Sequence, residues 1–356
     1  MPKKIIFDKK NILVTGGAGF IGSHLCDELV KTSKVICVDN FSSGSEKNID
    51  HLLANPDFEF IRHDITEPLD LESLPELQKF KIEFQGVQDI YNLACPTSPK
   101  DFLKNRLATI MANSYGLKNI LDVALKYKAS LLHFSSSVVY GPRRKENSKV
   151  KESDIGQVDF LSTRSSFDEG KRFAETMTMN YRQVYGLDAK IMRLFRIYGP
   201  RMKLDDGQML PDFISSALDG KDLKIFGDRN FSTTYCYIND CIDAAIKIME
   251  SDLSGPINIG SDVEINLTDL ADKIITTIGS RSKIVYADEM LFMTSLCPPD
   301  TSMARNELGW MPVISLEQGL EKTIYELRAS KGLKGVAQAV NTDQEEEANN
   351  KFLDQY

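Results

Sequence analysis

The chain predicts an α/β protein, a doubly wound parallel sheet followed by a smaller C-terminal α/β domain. Two observations carry this. Through the first half, short apolar runs rich in Ile and Val alternate with helical stretches, the pattern of strands buried on both faces by helices. After Pro200 the pattern loosens into shorter helices, with Pro298, Pro299 and Pro312 as breakers. Length agrees, because 356 residues with 42% hydrophobic content suffice for one large or two unequal domains with a real core.

In chain order, Ile12-Leu13-Val14 reads as the first strand, ending in a glycine-rich turn and a helix that begins near Ser23. Val35 to Val38 is the second strand and Phe58 to Ile61 the third. The segment from about Leu69 to Gly86 is long for a connection at that point and predicts an extra helix or a surface excursion. Ile90 to Leu93, Leu131 to Phe134 and Lys190 to Arg193 complete the strands, with long helices expected over Leu107 to Tyr127 and Phe167 to Tyr185. Shorter helices follow at Pro211 to Leu218 and Leu267 to Ile278. The domains expected are 1–190, with a returning segment near 235–260, then 191–332, and a polar tail over 333–356 that contains three consecutive glutamates at Glu345, Glu346 and Glu347.

Composition excludes several classes. No run of eighteen apolar residues occurs, and Asp8-Lys9-Lys10 follows the short apolar start, so neither a membrane span nor a secretory segment is expected and the protein is placed in the cytoplasm. Six cysteines without a C-x-x-C pair read as reduced thiols. The four histidines lack metal-ligand spacing, so no metal is expected. A net charge of −8 without a basic stripe argues against a nucleic-acid partner.

The strongest motif is the run Gly16-Gly17-Ala18-Gly19-Phe20-Ile21-Gly22 between the first strand and its helix. Glycines at Gly16, Gly19 and Gly22 let backbone N–H groups approach a pyrophosphate at the positive end of the helix. Asp39 closes the second strand about twenty residues on, where a carboxylate accepts from an adenosine ribose diol and repels a 2′-phosphate. NAD is therefore favoured over NADP, on a Rossmann-type domain. His24 reads as a packing histidine.

With that run, Asp39-Asn40-Phe41-Ser42-Ser43-Gly44, Val139-Tyr140-Gly141, Asp168-Glu169-Gly170-Lys171-Arg172 and Gly199-Pro200-Arg201-Met202 in order, the chain resembles the extended short-chain dehydrogenase/reductases. Within them it is most similar to the UDP-glucuronate decarboxylases, over roughly residues 10 to 330. The resemblance implies retained NAD, a nucleoside diphosphate sugar as substrate, a UDP-sugar foremost, and oxidation at sugar C4 as the first step. It implies that Asp64 and Ile65 lie by the adenine, that Leu93 and Ala94 run along the cofactor, and that Lys171 meets the nicotinamide ribose. Phe20, Ile21 and Asn40 join them at the cofactor, while Pro96, Thr97, Ser137, Arg196 and Arg201 fall to the substrate. Ser136 matches the residue that hydrogen-bonds the reacting hydroxyl. A homodimer paired through the two long helices is implied as well.

The departures gather at the chemistry. Phe167 stands four residues before Lys171, where the family carries a tyrosine whose phenolate accepts the hydroxyl proton as hydride leaves. Val138 follows Ser137 where decarboxylases carry Glu, so the acid/base for water elimination is absent. Arg196 replaces an asparagine, and Thr233 and Cys297 fall where phosphate-binding arginines usually stand. Arg196 either takes over part of the anion recognition or makes an ion pair at the surface or between domains. Phe167 is an engineered trap, a natural change with another base, or the mark of a silent binding protein. The leading expectation is a decarboxylase-like enzyme, the alternatives being a 4-epimerase and a catalytically silent binder of NAD and nucleotide sugar.

Overall fold

The computed structural model describes residues 9–101, 104–143, 149–204, 206–288 and 295–332; the polar tail expected over 333–356 lies outside the described residues. Six strands form where the apolar runs predict them: β1 (Asn11–Thr15), β2 (Lys34–Asp39), β3 (Phe58–Arg62), β4 (Asp89–Asn92), β5 (Ser130–Ser136) and β6 (Ala189–Leu194). All pair in parallel. Alternate side chains divide between two faces, and both are buried. Leu13, Ile36, Ile90 and Leu131 enter one core, while Val14, Val35, Cys37 and Leu132 enter the other.

Between these strands run α1 (Phe20–Leu29), α2 (Ile82–Gln85), α3 (Arg106–Met111), α4 (Leu117–Tyr127) and α5 (Ser165–Tyr185). α3 and α4 are joined by a π-helical turn, Ala112–Gly116, so the expected helix over Leu107 to Tyr127 is one element with a widened turn. The stretch from Leu69 to Gly86 holds two 3₁₀ turns, Leu71–Ser73 and Pro75–Phe80, ahead of α2. It is not a surface excursion, since Leu71, Leu77, Phe80 and Ile82 are buried against the sheet.

Past β6 the chain forms β7 (Ile197–Tyr198), α6 (Met209–Leu218), β8 (Leu223–Phe226), β9 (Ser232–Thr234), β10 (Cys236–Tyr237) and α7 (Ile238–Glu250). β11 (Pro256–Ile259), β12 (Glu264–Asn266), α8 (Leu267–Ile278), β13 (Ile284–Ala287) and α9 (Ser302–Leu308) follow. β11 returns to pair with β6, giving the sheet order β11-β6-β5-β4-β1-β2-β3. The boundary expected at 190 thus falls inside β6. The helices beyond Pro200 are shorter than α5, as expected, and include two that the sequence reading does not name, the 13-residue α7 and a helix over 316–332. Buried Trp310 anchors that last helix: its Nε1 donates to the Asp240 carbonyl at 2.9 Å, and Val313 and Ile314 N–H groups each donate to the Asp240 carboxylate at 3.1 Å. Among the described residues no helix is long and apolar enough to cross a membrane.

The strand order reverses between β1 and β4, so the connections leaving their C-terminal ends diverge and open a crevice there. The small paired strands β7–β10, β8–β13 and β9–β12 stand beyond the sheet.

Candidate active site

A cleft of about 1260 Å³ opens at this crevice, and every residue that the sequence nominates lines it. At one end is the glycine turn. Gly16 has φ +72°, and a Cβ there would meet the Ala94 nitrogen at 2.8 Å; a Cβ on Gly22 would fall 2.2 Å from the Gly16 carbonyl. The turn is therefore compressed between the helix start and the loop after β4, which only glycine permits. α1 begins with no side-chain cap, leaving the N–H groups of Phe20 and Ile21 at the positive end of the helix for an anion.

Asp39, at the end of β2, accepts from the Ala18 N–H at 3.0 Å and the Phe41 N–H at 2.8 Å. Burial pushes its carboxyl above the usual range, and the backbone N–H groups pull it back. The acid meets no basic side chain within ion-pair distance among the described residues, which leaves room for a hydroxyl donor. Asn40 donates to Asp64 at 2.9 Å, joining the second and third strand ends. Burial opposes the charge on Asp64, yet bonds from Thr66 and Asn40 hold its carboxyl below the ordinary value. Ile65 is buried beneath the same wall. A cradle of compressed glycines, an uncapped helix start and a diol-accepting carboxylate fit a dinucleotide such as NAD.

Across the turn, Leu93 and Ala94 carry the chain over Gly16, with the Leu93 N–H bonded to the Thr15 carbonyl at 3.0 Å. The same loop then presents Cys95, Pro96 and Thr97 to the cleft.

The far end gathers the reactive positions. Ser136 ends β5 and lies partly open, its oxygen receiving the Val138 N–H at 3.4 Å, so its own proton remains to be donated. Phe167 and Lys171 are four apart in α5 and therefore share a face. Lys171 donates to the Phe134 carbonyl at 2.7 Å; burial holds its ammonium below the ordinary lysine range, opposed by Cys95 and Glu175. Phe167, only 6% exposed, packs with Val138, Cys95 and Leu296 in a small apolar cluster. Both positions that depart from the expected acid/base pattern thus fill one patch beside Lys171. The Cys95 sulfur, held by the Asn113 amide at 3.1 Å in the π-helical turn, is the heteroatom of that patch.

Ser137 is buried beside Ser136. Arg196 follows β6 and lines both the cleft and a small side pocket bordered by Ser137, Thr233 and Cys297. The ion pair weighed for it is not seen: among the described residues no carboxylate lies within 4.0 Å. Arg201 is different, since its guanidinium pairs with Asp27 at 2.7 Å and its backbone N–H donates to Glu326. His24 packs edge-on to Phe20 and bonds the Pro200 carbonyl at 3.0 Å, a packing role. Sequence reasoning passes over Cys95, Arg164 and Asp206, which also line the cleft; Arg164 stands one turn before Phe167, a signal that helix spacing could have supplied.

Comparison with known proteins adds to this geometry. The profile of the NAD dependent epimerase/dehydratase family matches residues 12–260. The chain is 37% identical over 322 residues to UDP-glucuronic acid decarboxylase 1 of Xenopus tropicalis, covering 90% of this chain and 73% of that protein. It is 38% identical over 319 residues to UDP-glucuronic acid decarboxylase 6 of Arabidopsis thaliana, covering 89% and 88%. Among solved structures, UDP-glucuronic acid 4-epimerase from Bacillus cereus, in complex with UDP-glucuronic acid and NAD, superposes with a TM-score of 0.78 at 28% identity, covering 90% of this chain and 99% of that one.

Proposed function

The chain belongs to the NAD dependent epimerase/dehydratase family, and on that premise we propose that it modifies a nucleoside diphosphate sugar, a UDP-sugar, through NAD-dependent oxidation at C4, in the manner of a UDP-glucuronate decarboxylase. The observation that carries this reading is the single cleft that joins the glycine cradle and Asp39 to Ser136, Phe167 and Lys171. NAD, when bound, supplies the hydride acceptor. Ser136 would orient the C4 hydroxyl through its free proton, the hydroxyl's own proton leaving to water in the cleft because Phe167 offers no acceptor, and Lys171 would supply positive charge toward the nicotinamide ribose. Leu93 and Ala94 would hold the cofactor along the loop after β4, and Asp64 and Ile65 would meet its adenine. Pro96, Thr97 and Ser137 bound the sugar. Once C4 is a ketone, a C5 carboxylate is a β-keto acid and loses CO₂. The protein acts in the cytoplasm as a homodimer.

A second reading rests on one observation. At Phe167 no oxygen is present to take the hydroxyl proton, and Val138 leaves the neighbouring acid position apolar. On this reading the chain binds NAD and nucleotide sugar without turning it over. A 4-epimerase needs only hydride out, sugar rotation and hydride back, and differs from the first reading by releasing no CO₂.

Phe167→Tyr separates these. The NAD-loaded wild type and variant are compared with UDP-hexoses and UDP-hexuronates by NADH absorbance and product mass. A restored base should raise turnover by about 10²- to 10⁴-fold. Two proteins that bind the sugar nucleotides yet leave them unchanged would establish the binding reading.

A further inference from the structure

The charged side chains around the cleft are mostly spoken for. Lys171 is held by the Phe134 carbonyl, Arg164 faces Asp168 at 3.4 Å, and Arg201 pairs with Asp27. The Arg196 guanidinium has no hydrogen bond and no carboxylate within 4.0 Å among the described residues. Its contact is the Phe231 ring, whose centre lies 6.0 Å from the guanidinium carbon. Glu264 borders the same side pocket, but Arg143 grips it with both nitrogens, at 2.8 and 3.1 Å.

The backbone at Arg196 is unusual too. Its φ is +41°, in the left-handed region that arginine seldom occupies, and this kink lies where the chain leaves β6 and enters β7. The Cys236 N–H holds the kinked carbonyl at 3.1 Å. The result is a guanidinium at the junction of the cleft and the side pocket, with Ser137 beside it. Arg164 acts on it as a like charge. A partly buried cation without a counter-ion is costly, and a ligand that brings an anion removes the cost.

We propose that Arg196 is the anion-recognition residue of the substrate site and takes an oxyanion of the nucleotide sugar, its C5 carboxylate or its diphosphate, in a bidentate grip. This rests on the nucleotide-sugar reading above. Arg196 comes from the β6–β7 junction, whereas the positions where arginines are expected, 233 and 297, line the pocket beside it as threonine and cysteine. One guanidinium in the gap serves a site that lacks two.

The test is calorimetric titration of NAD-loaded wild type, Arg196→Asn and Arg196→Lys with UDP, UDP-glucose and UDP-glucuronate. Asparagine tolerates the left-handed backbone, so the kink survives, and NAD retention with an unchanged melting temperature reports the fold. Arg196→Asn should weaken UDP-glucuronate by about 10- to 150-fold, the loss of a charged hydrogen-bonding partner. Lysine should recover part of it, being a point charge without the planar fork. If UDP and UDP-glucose bind as before, the partner is the carboxylate; if all three weaken alike, it is the diphosphate. Equal binding of all three by wild type and Arg196→Asn overturns the assignment of Arg196 alone. A wild type that takes up NAD but none of the three overturns the nucleotide-sugar reading and, with it, this proposal.

Discussion

His133 in β5 is held neutral by its neighbours. The Thr15 hydroxyl donates to Asn92 Oδ1 at 2.6 Å, which turns the amide nitrogen of Asn92 toward His133 Nδ1 at 3.2 Å. Nδ1 must accept there, so the proton sits on Nε2, which is buried without a protein partner among the described residues. Burial, and then the Lys171 charge, hold the imidazole well below its ordinary 6.5. The folded state therefore binds fewer protons than the unfolded chain as pH falls below 6.5, and stability drops through that window with a slope of at most about 1.4 kcal/mol per pH unit. His133→Gln should lose less than wild type between pH 6.5 and 5, by at most about 2 kcal/mol. Urea midpoints at the two pH values check this, and parallel acid losses would sink it. At this scale legibility is uneven. Asp39 and Lys171 stand at fixed offsets within motifs and can be read from them. Cys95 has no motif, because its place depends on a loop that crosses Gly16. The pairing of Glu264, which shares a side pocket with Arg196, to Arg143 joins residues 121 positions apart, which no local pattern announces.

The glycine turn between β1 and α1 is one element with two separable duties. Gly22 supports the turn itself: a Cβ there would stand 2.2 Å from the Gly16 carbonyl and 2.8 Å from the Gly17 Cα, all backbone, so nothing can yield cheaply. A Cβ on Gly19 meets only the Gly16 carbonyl, at 3.2 Å. Gly22→Ala should lower the melting temperature without ligand, while Gly19→Ala should melt near wild type yet bind NAD more weakly, its methyl lying where the pyrophosphate approaches. Differential scanning fluorimetry with and without NAD distinguishes them; equal effects of both on the ligand-free protein would contradict the division. The strands were legible because both faces are apolar, as at Leu13 and Val14. The fold of 69–86 was not, because Leu71, Leu77, Phe80 and Ile82 recur with neither a helical nor a strand period, and a run of 3₁₀ turns has no pattern of its own.

In the molecule as a whole, α3, the π-helical turn and α5 leave an apolar face uncovered. Leu107 is 77% exposed, Tyr115 61% and Tyr185 61%, with Ile110, Met111 and Phe173 also open. Single exposed apolar residues are ordinary, but Leu107, Ile110, Met111 and Tyr115 recur at helical spacing as a stripe, and α3 packs beside α5. Packing against the sheet does not cover these side chains. A second copy is the proposed occupant: two-fold pairing of a self-complementary stripe would bury all of it and set two helices from each chain side by side. Met111 and Ala112 also line the cleft, so the proposed interface and the site share one helical turn. Leu107→Asp with Tyr115→Glu places a charge of each chain in the middle of the pairing. Light scattering after size exclusion should give twice the chain mass for wild type and the single mass for the double variant, with NAD retention as the control for folding. A wild type that elutes at the single mass at micromolar concentration would leave the stripe without its proposed partner.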